Sequence, residues 1–120
     1  MIDSKDLRIG NIVLDENNKP IIIDYNYMAN LLKYANWDDL KPIKLTPDIL
    51  EQIGFKKPQP EHLILKTDTH EYLFCLDYEG ANLCIDGKDA FCVYLHDLQN
   101  NYYFNNNKQE LPININTLKV

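Results

Sequence analysis

The sequence is poor in the residues that build metal sites, disulfide frameworks and phosphate loops. It has three cysteines, an odd number that fits a disulfide framework poorly. Its four glycines stand singly and form no phosphate-binding loop, and no two histidines have the spacing of one helical turn. We therefore predict no cofactor and no metal ion, and we interpret Cys75, Cys84 and Cys92 as buried, reduced thiols in strands.

Basic residues and long apolar runs are also scarce. The chain has 12 Lys and Arg against 18 Asp and Glu, a net charge of −6. Binding to nucleic-acid backbones depends on clustered basic residues, so this balance counts against it. The longest apolar runs, at residues 72–76 and 90–95, are too short to cross a bilayer, and the first residues lack the apolar core of a signal peptide. We expect a cytoplasmic protein with no membrane partner.

The composition that is present is typical of a folded domain. Apolar residues make up 45% of the 120 positions and charged residues 25%, close to the averages of globular domains. We expect one α+β domain over residues 1–120. A stiff connector at residues 56–60, with sequence Lys-Lys-Pro-Gln-Pro, separates its two halves, 1–57 and 61–120.

Short strands dominate the first half. A Leu-Arg-Ile-Gly-Asn turn at residues 7–11 precedes an apolar run at 12–14, which predicts a strand with one buried face. A polar loop then leads to a second strand at 20–24, and a third is expected at 42–45. Together these strands predict a small SH3-like or partly open β-barrel.

Residues 25–36 carry a different pattern. Met28, Leu31, Leu32 and Ala35 recur at the spacing of one helical face. We therefore favour a short helix here over a further barrel strand.

A capped helix at residues 46–54 is the best local signal. Thr46 can accept a hydrogen bond from the first helical N–H groups, and Pro47 suits the first helical position. Gly54 can end the helix in left-handed geometry, with Phe55 packing back over it. We expect this helix to close the first half.

The second half predicts an antiparallel meander with a C-terminal helix. Strand-like runs are separated by segments of turn chemistry such as Glu-Gly and Asp-Gly. We expect the helix at residues 96–104 to lie on the meander, and residues 112–120 to form either an edge strand or a loose tail. The four runs cover residues 62–66, 71–78, 82–85 and 90–95.

Aromatic and amide side chains supply the candidate interaction residues. The chain has eight tyrosines, and a tyrosine joins a large apolar surface to a polar tip, which suits interfaces. The alternative for the tyrosines is that they fill the core. For the two amides we favour a structural role, in which they cap loops or tie the C-terminal helix to the neighbouring sheet. The candidates are Tyr102, Tyr103, Gln99, Asn100, Tyr34 and Trp37.

Three motifs follow one another along the chain: Leu-Arg-Ile-Gly-Asn at residues 7–11, Pro-Ile-Lys-Leu-Thr at 42–46 leading to Gly54-Phe55, and His-Asp-Leu-Gln-Asn at 96–100. In this order and spacing they resemble a family of small uncharacterised proteins of Bacteroidetes and their phages and prophages. The sequence departs from the family at Lys44, where relatives often carry a second proline. The resemblance implies no catalytic residue that could be transferred to this chain.

These observations favour a non-enzymatic protein-binding or adaptor module of phage or mobile-element origin. No convergent catalytic set is visible, and the tyrosines are suited to contact with another protein. One alternative is a nucleic-acid-associated accessory protein built on an SH3-like barrel. Another is a small enzyme that uses Cys92 or a histidine. The sequence leaves self-association open.

Overall fold

In the computed structural model, the chain divides into two compact units. Unit 1 comprises Met1–Lys44, Tyr94–Leu118 and Val120, and unit 2 comprises Leu45–Val93 and Lys119. The two units contain helices and two antiparallel sheets, which confirms the α+β class. The structure describes residues 7–34, 40–59, 62–67, 70–77, 80–85, 88–90 and 94–120. The elements are β1 (Ile12–Leu14), β2 (Pro20–Ile22), α1 (Tyr25–Tyr34), α2 (Pro47–Ile53), β3 (Lys56–Gln59), β4 (His62–Lys66), β5 (Glu71–Asp77), β6 (Gly80–Ile85), β7 (Lys88–Ala90) and α3 (Leu95–Asn105).

The predicted hairpin opens unit 1. β1 pairs antiparallel with β2, and the Asp15 carboxylate closes the loop by accepting hydrogen bonds from the Asn17 and Lys19 N–H groups at 2.8 and 2.9 Å. The expectation of one buried face on β1 is wrong. Ile12 and Val13 are adjacent and point to opposite faces, yet both are buried.

The helix predicted after the hairpin is confirmed as α1. The Asp24 carboxylate accepts a hydrogen bond from the Tyr27 N–H at 2.7 Å and so caps the first turn. Leu31 is buried, but Leu32, which was expected on the same face, is 70% exposed. The core of this region consists of Leu7, Val13, Ile23, Leu31 and Leu40, with Ile21, Tyr27 and Met28 packed against it.

The third strand predicted for the first half does not form. Among the described residues, two isolated bridges lie in or beside this segment. One pairs Lys41 with Leu14 and the other pairs Lys44 with Tyr94, and only Lys44 belongs to residues 42–45. The described part of unit 1 therefore holds a two-stranded sheet and no closed barrel. A strand needs a continuous ladder of backbone hydrogen bonds, and here each partner contacts the segment at a single position.

Unit 2 contains the predicted meander. Its five strands follow in chain order from β3 to β7, each antiparallel to the next. The prediction of a connector at residues 56–60 is wrong over Lys56–Gln59, because β3 pairs with β4 there as an edge strand. Lysine and proline are common on edge strands, where one row of backbone groups has no strand partner.

The capped helix is confirmed as α2. The Thr46 hydroxyl accepts a hydrogen bond from the Ile49 N–H at 3.2 Å, and Gly54 ends the helix with a φ of 122°. Phe55 then turns back, its N–H donating to the Leu50 carbonyl at 3.0 Å. The centres of the Phe55 ring and of the Phe74 ring of β5 lie 5.5 Å apart, and this contact packs the end of the helix against the sheet.

The predicted C-terminal helix is confirmed as α3. It begins at Leu95, which was expected to end a strand, and the Leu95 N–H donates to the Ile43 carbonyl at 2.8 Å. The helix belongs to unit 1, where it contacts β1, and its packing on the meander stays a prediction. Residues 112–120 form no strand, so the edge-strand alternative is wrong, and they contain a turn at Asn114. They are not a loose tail either, because the Lys119 N–H and carbonyl bond the Gln52 side chain at 2.8 and 2.9 Å. Within the described ranges, no helix has the length and apolar character needed to span a membrane.

Candidate functional site

The Leu-Arg-Ile-Gly-Asn segment forms a tight turn before β1. Gly10 has a φ of 101°, in a region that side chains of L-residues rarely permit. The Arg8 N–H donates to the Asn11 side-chain oxygen at 2.6 Å, and the Asn11 N–H donates back to the Arg8 carbonyl at 3.0 Å. The Gly10 N–H donates to the Ile23 carbonyl at 2.7 Å, and this bond holds the turn beside the end of β2.

Gln99 of α3 binds the backbone of this turn. Its side-chain oxygen accepts the Ile12 N–H at 2.7 Å, and its side-chain nitrogen donates to the Gly10 carbonyl at 3.1 Å. Gln99 is only 2% exposed. A buried amide that bonds one backbone donor and one backbone acceptor takes the place of the backbone of a neighbouring strand.

Asn100, the next residue, binds the side chains of the turn. Its side-chain oxygen accepts hydrogen bonds from Asn11 at 2.8 Å and from Arg8 Nε at 3.1 Å. Gln99 therefore contacts the backbone of the turn, and the adjacent Asn100 contacts its side chains. We call this arrangement the amide lock.

Arg8 extends the amide lock towards the C-terminus. Its guanidinium forms a two-point ion pair with Glu110, with one of the two hydrogen bonds at 3.1 Å. The same group lies over the Tyr103 ring, 3.9 Å from its centre. The Arg8 side chain is 19% exposed and the Glu110 side chain 46%, so the ion pair is open to water on its Glu110 side.

The structure thus brings together three of the predicted interaction residues, Gln99, Asn100 and Tyr103. All three contact the turn at residues 7–11 within unit 1. Tyr102 is half-buried on the same helix. Tyr34 ends α1, with its side chain outside what the structure describes, and Trp37 lies outside the described residues.

His96 is the histidine with the most defined surroundings. It is buried, its ring stacks on the Tyr94 ring at 5.7 Å, and its Nε2 lies 3.6 Å from the Asp97 carboxylate. The same carboxylate accepts a hydrogen bond from the Tyr94 N–H at 3.1 Å, at the start of α3. These contacts hold the first turn of the helix.

The sequence also offered Cys92 and the histidines as candidates for catalysis. Cys92 lies outside the described residues, and Cys84 is half-buried on β6. Across the described ranges, no three His, Cys, Asp or Glu side chains are arranged to hold a metal ion.

The surface of α1 is a candidate site that the sequence prediction included only at Tyr34, the last residue of the helix. Tyr25 is 75% exposed and Leu32 is 70% exposed, with the exposed Ala29 between them. These positions follow the i, i+4, i+7 spacing of one helical face. We call these three residues the α1 outer face. The spacing was visible in the sequence, but Leu32 was assigned to the core face beside Leu31.

No protein-family model, curated protein or solved structure matches the chain.

Proposed function

We propose that the chain is a non-enzymatic protein-binding module, and that the α1 outer face contacts its partner. The observation that carries the proposal is the exposure of Tyr25 and Leu32 on one side of a helix whose other side packs into the core. Full burial of a Leu side chain contributes about 1.5–3 kcal/mol. A helix that presents apolar side chains at this spacing suits the groove of a partner protein.

The amide lock supports this choice of surface. Gln99 and Asn100 use their amide groups on the turn at residues 7–11, so their hydrogen-bonding capacity serves the fold of unit 1. The motifs behind the proposed kinship with a Bacteroidetes and phage family include both partners of the lock. We propose that these motifs encode a shared fold, and that the partner is recognised elsewhere on the surface.

A nucleic-acid accessory protein on an SH3-like barrel remains the alternative proposal. The antiparallel pairing of β1 with β2 is a hairpin of the kind that such a barrel would contain. The net charge of −6 counts against it. A cytoplasmic location is part of both proposals.

Affinity capture from a lysate of the source organism tests the proposal. The tagged chain is compared with a Tyr25→Ser/Leu32→Ser variant, each with and without nuclease. Phe104→Ser is the matched control, because Phe104 is 71% exposed on a different helix, α3. We expect a protein partner that survives nuclease, persists with Phe104→Ser and is lost with the double variant.

Two results would count against the proposal. A partner lost on nuclease treatment would favour the nucleic-acid alternative. Equal capture by the double variant and the wild type would exclude the α1 outer face as the contact surface. Melting temperatures of all variants show whether folding has changed, and light scattering of the wild type detects self-association.

A further inference from the structure

The guanidinium of Arg8 is held in place by groups other than the carboxylate with which it pairs. Its Nε donates to the Asn100 side-chain oxygen at 3.1 Å, and one terminal nitrogen donates to the Ile9 carbonyl at 2.8 Å. The flat face of the group lies over the Tyr103 ring, 3.9 Å from the ring centre. The two terminal nitrogens also donate to the two carboxylate oxygens of Glu110. The orientation of the guanidinium therefore does not depend on Glu110 alone.

Gly10 leaves the space in which the Glu110 carboxylate lies. A Cβ at Gly10 would lie 2.9 Å from a carboxylate oxygen of Glu110 and 3.3 Å from a terminal nitrogen of Arg8. The φ of Gly10, 101°, also disfavours any residue with a side chain at this position. Arg8 and Gly10 thus surround one carboxylate group, and we call these two residues the carboxylate cradle.

The two partners of the ion pair differ in how firmly they are held. The Arg8 side chain is 19% exposed and keeps its other contacts, whereas the Glu110 side chain is 46% exposed. Leu111, the next residue, is only 4% exposed and anchors the backbone. Rotation about the side-chain bonds of Glu110 moves its carboxylate into water without moving this backbone. Glu110 is therefore the partner that can leave.

Departure of Glu110 leaves the cradle in need of another anion. A guanidinium stays charged at neutral pH, and a largely buried cation without a counterion is unfavourable. An ion pair that is half open to water is screened and contributes little. An external carboxylate at sufficient concentration therefore competes with the tethered carboxylate of Glu110.

The contact between Arg8 and Glu110 identifies the chemistry of the occupant. A carboxylate is planar and presents two charged oxygens, which match the two terminal nitrogens of a guanidinium in a two-point contact. A neutral amide offers a single acceptor oxygen and no charge. The cradle is therefore selective for a carboxylate over its neutral analogue.

We propose that the carboxylate cradle binds a small carboxylate ligand, and that Glu110 is an internal occupant which the ligand displaces. Arg8 makes the two-point contact, and Gly10 leaves the space for the carboxylate. Asn100 and Tyr103 position the guanidinium. The residues of the α1 outer face play no part in this site.

NMR titration of the ¹⁵N-labelled full chain with sodium acetate tests the site. Sodium chloride holds the ionic strength constant, and the signals followed are the Arg8 Nε–H and the Gly10 N–H. In Glu110→Ala the internal occupant is absent, so we expect both signals to shift to saturation. The wild type should move towards the same end point with an affinity about tenfold weaker or less, because Glu110 competes. Acetamide should cause no such shift.

Matched variants separate the cradle from general charge effects. Glu16→Ala removes an exposed carboxylate from the loop between β1 and β2 and should bind acetate as weakly as the wild type. Arg8→Met/Glu110→Ala removes the guanidinium and should show no saturable shift of the Gly10 N–H. Acetate, but not chloride, should raise the melting temperature of Glu110→Ala, because a ligand of the folded state stabilises it.

A second variant covers the case in which Glu110→Ala does not fold. Glu110→Gln keeps the length of the side chain and loses its charge. It should bind acetate more tightly than the wild type, because a neutral amide competes less well for Arg8.

Four results would overturn the proposal. The first is no saturable shift of the Arg8 signal in the folded Glu110 variants. The second is equal affinity of the wild type and these variants, which would show that Glu110 does not occupy the site. The third is wild-type signals that never move towards the end point, which would make Glu110 a permanent partner of Arg8. The fourth is an equal response to acetamide, or a response that persists without Arg8.

Discussion

The guanidinium of Arg8 lies 3.9 Å from the centre of the Tyr103 ring, and this contact joins the turn before β1 to the last helix. Arg8 also pairs with Glu110 and donates to Asn100. Together with Gln99, these residues bring two distant segments of the chain into unit 1. The fold of unit 1 therefore depends on polar side chains as well as on its apolar core.

Replacement of Gln99 by Leu should destabilise the protein by about 2–4 kcal/mol. The change leaves the Ile12 N–H and the Gly10 carbonyl without their side-chain partner, and an unsatisfied buried polar group costs roughly 1–3 kcal/mol. Urea denaturation measures the free energy of unfolding.

Gln109→Leu provides the control for this substitution. Gln109 is exposed after the end of α3, so the same chemical change there should alter stability by less than about 0.5 kcal/mol. Equal effects of the two substitutions would contradict the structural role assigned to Gln99.

The sequence predicts elements whose signals lie close together in the chain. α2 is the clearest case, because its N-cap Thr46, its first residue Pro47 and its C-cap Gly54 all lie in one short segment. The amide lock is the opposite case. Gln99 binds Ile12 across 87 positions, and no local pattern shows which of the chain's many amide side chains reaches which backbone group.

The errors in the fold prediction have a similar cause. Residues 56–60 were interpreted as a stiff connector, but pairing with β4 makes Lys56–Gln59 an edge strand. Leu32 was assigned to the buried face because adjacent Leu31 and Leu32 both fit a helical period, and only packing decides which one faces the core. Whether Lys56–Gln59 forms a strand, and which of Leu31 and Leu32 is buried, both depend on residues outside the local sequence segment.

Gly10→Ala should destabilise the protein more than Gly54→Ala. Both glycines have positive φ angles, 101° and 122°, so each substitution carries a backbone cost of about 1 kcal/mol or more. At Gly10 a Cβ would also lie 2.9 Å from a Glu110 carboxylate oxygen, so this carboxylate has to shift within its ion pair with Arg8, whereas at Gly54 a Cβ would meet nothing within 4 Å. Thermal melting of the two variants makes the comparison, and a larger loss from Gly54→Ala would contradict it.

A double-mutant cycle should detect the coupling between Arg8 and Tyr103. We expect Arg8→Met and Tyr103→Leu, alone and together, to give a coupling free energy of about 0.5–1 kcal/mol from the contact of the cation with the ring. Chemical denaturation of the four proteins supplies the values. Additive effects of the two substitutions would show that the contact contributes nothing to stability.

The most direct test of the central claim, that α1 presents the partner-binding surface, is photo-crosslinking from that surface. A photoreactive phenylalanine analogue replaces Tyr25 in one variant and exposed Glu16, in the loop between β1 and β2, in a control. After irradiation in a lysate of the source organism, we predict one discrete heavier species from position 25 and none from position 16. No crosslinked species from position 25, or the same species from both positions, would contradict the account.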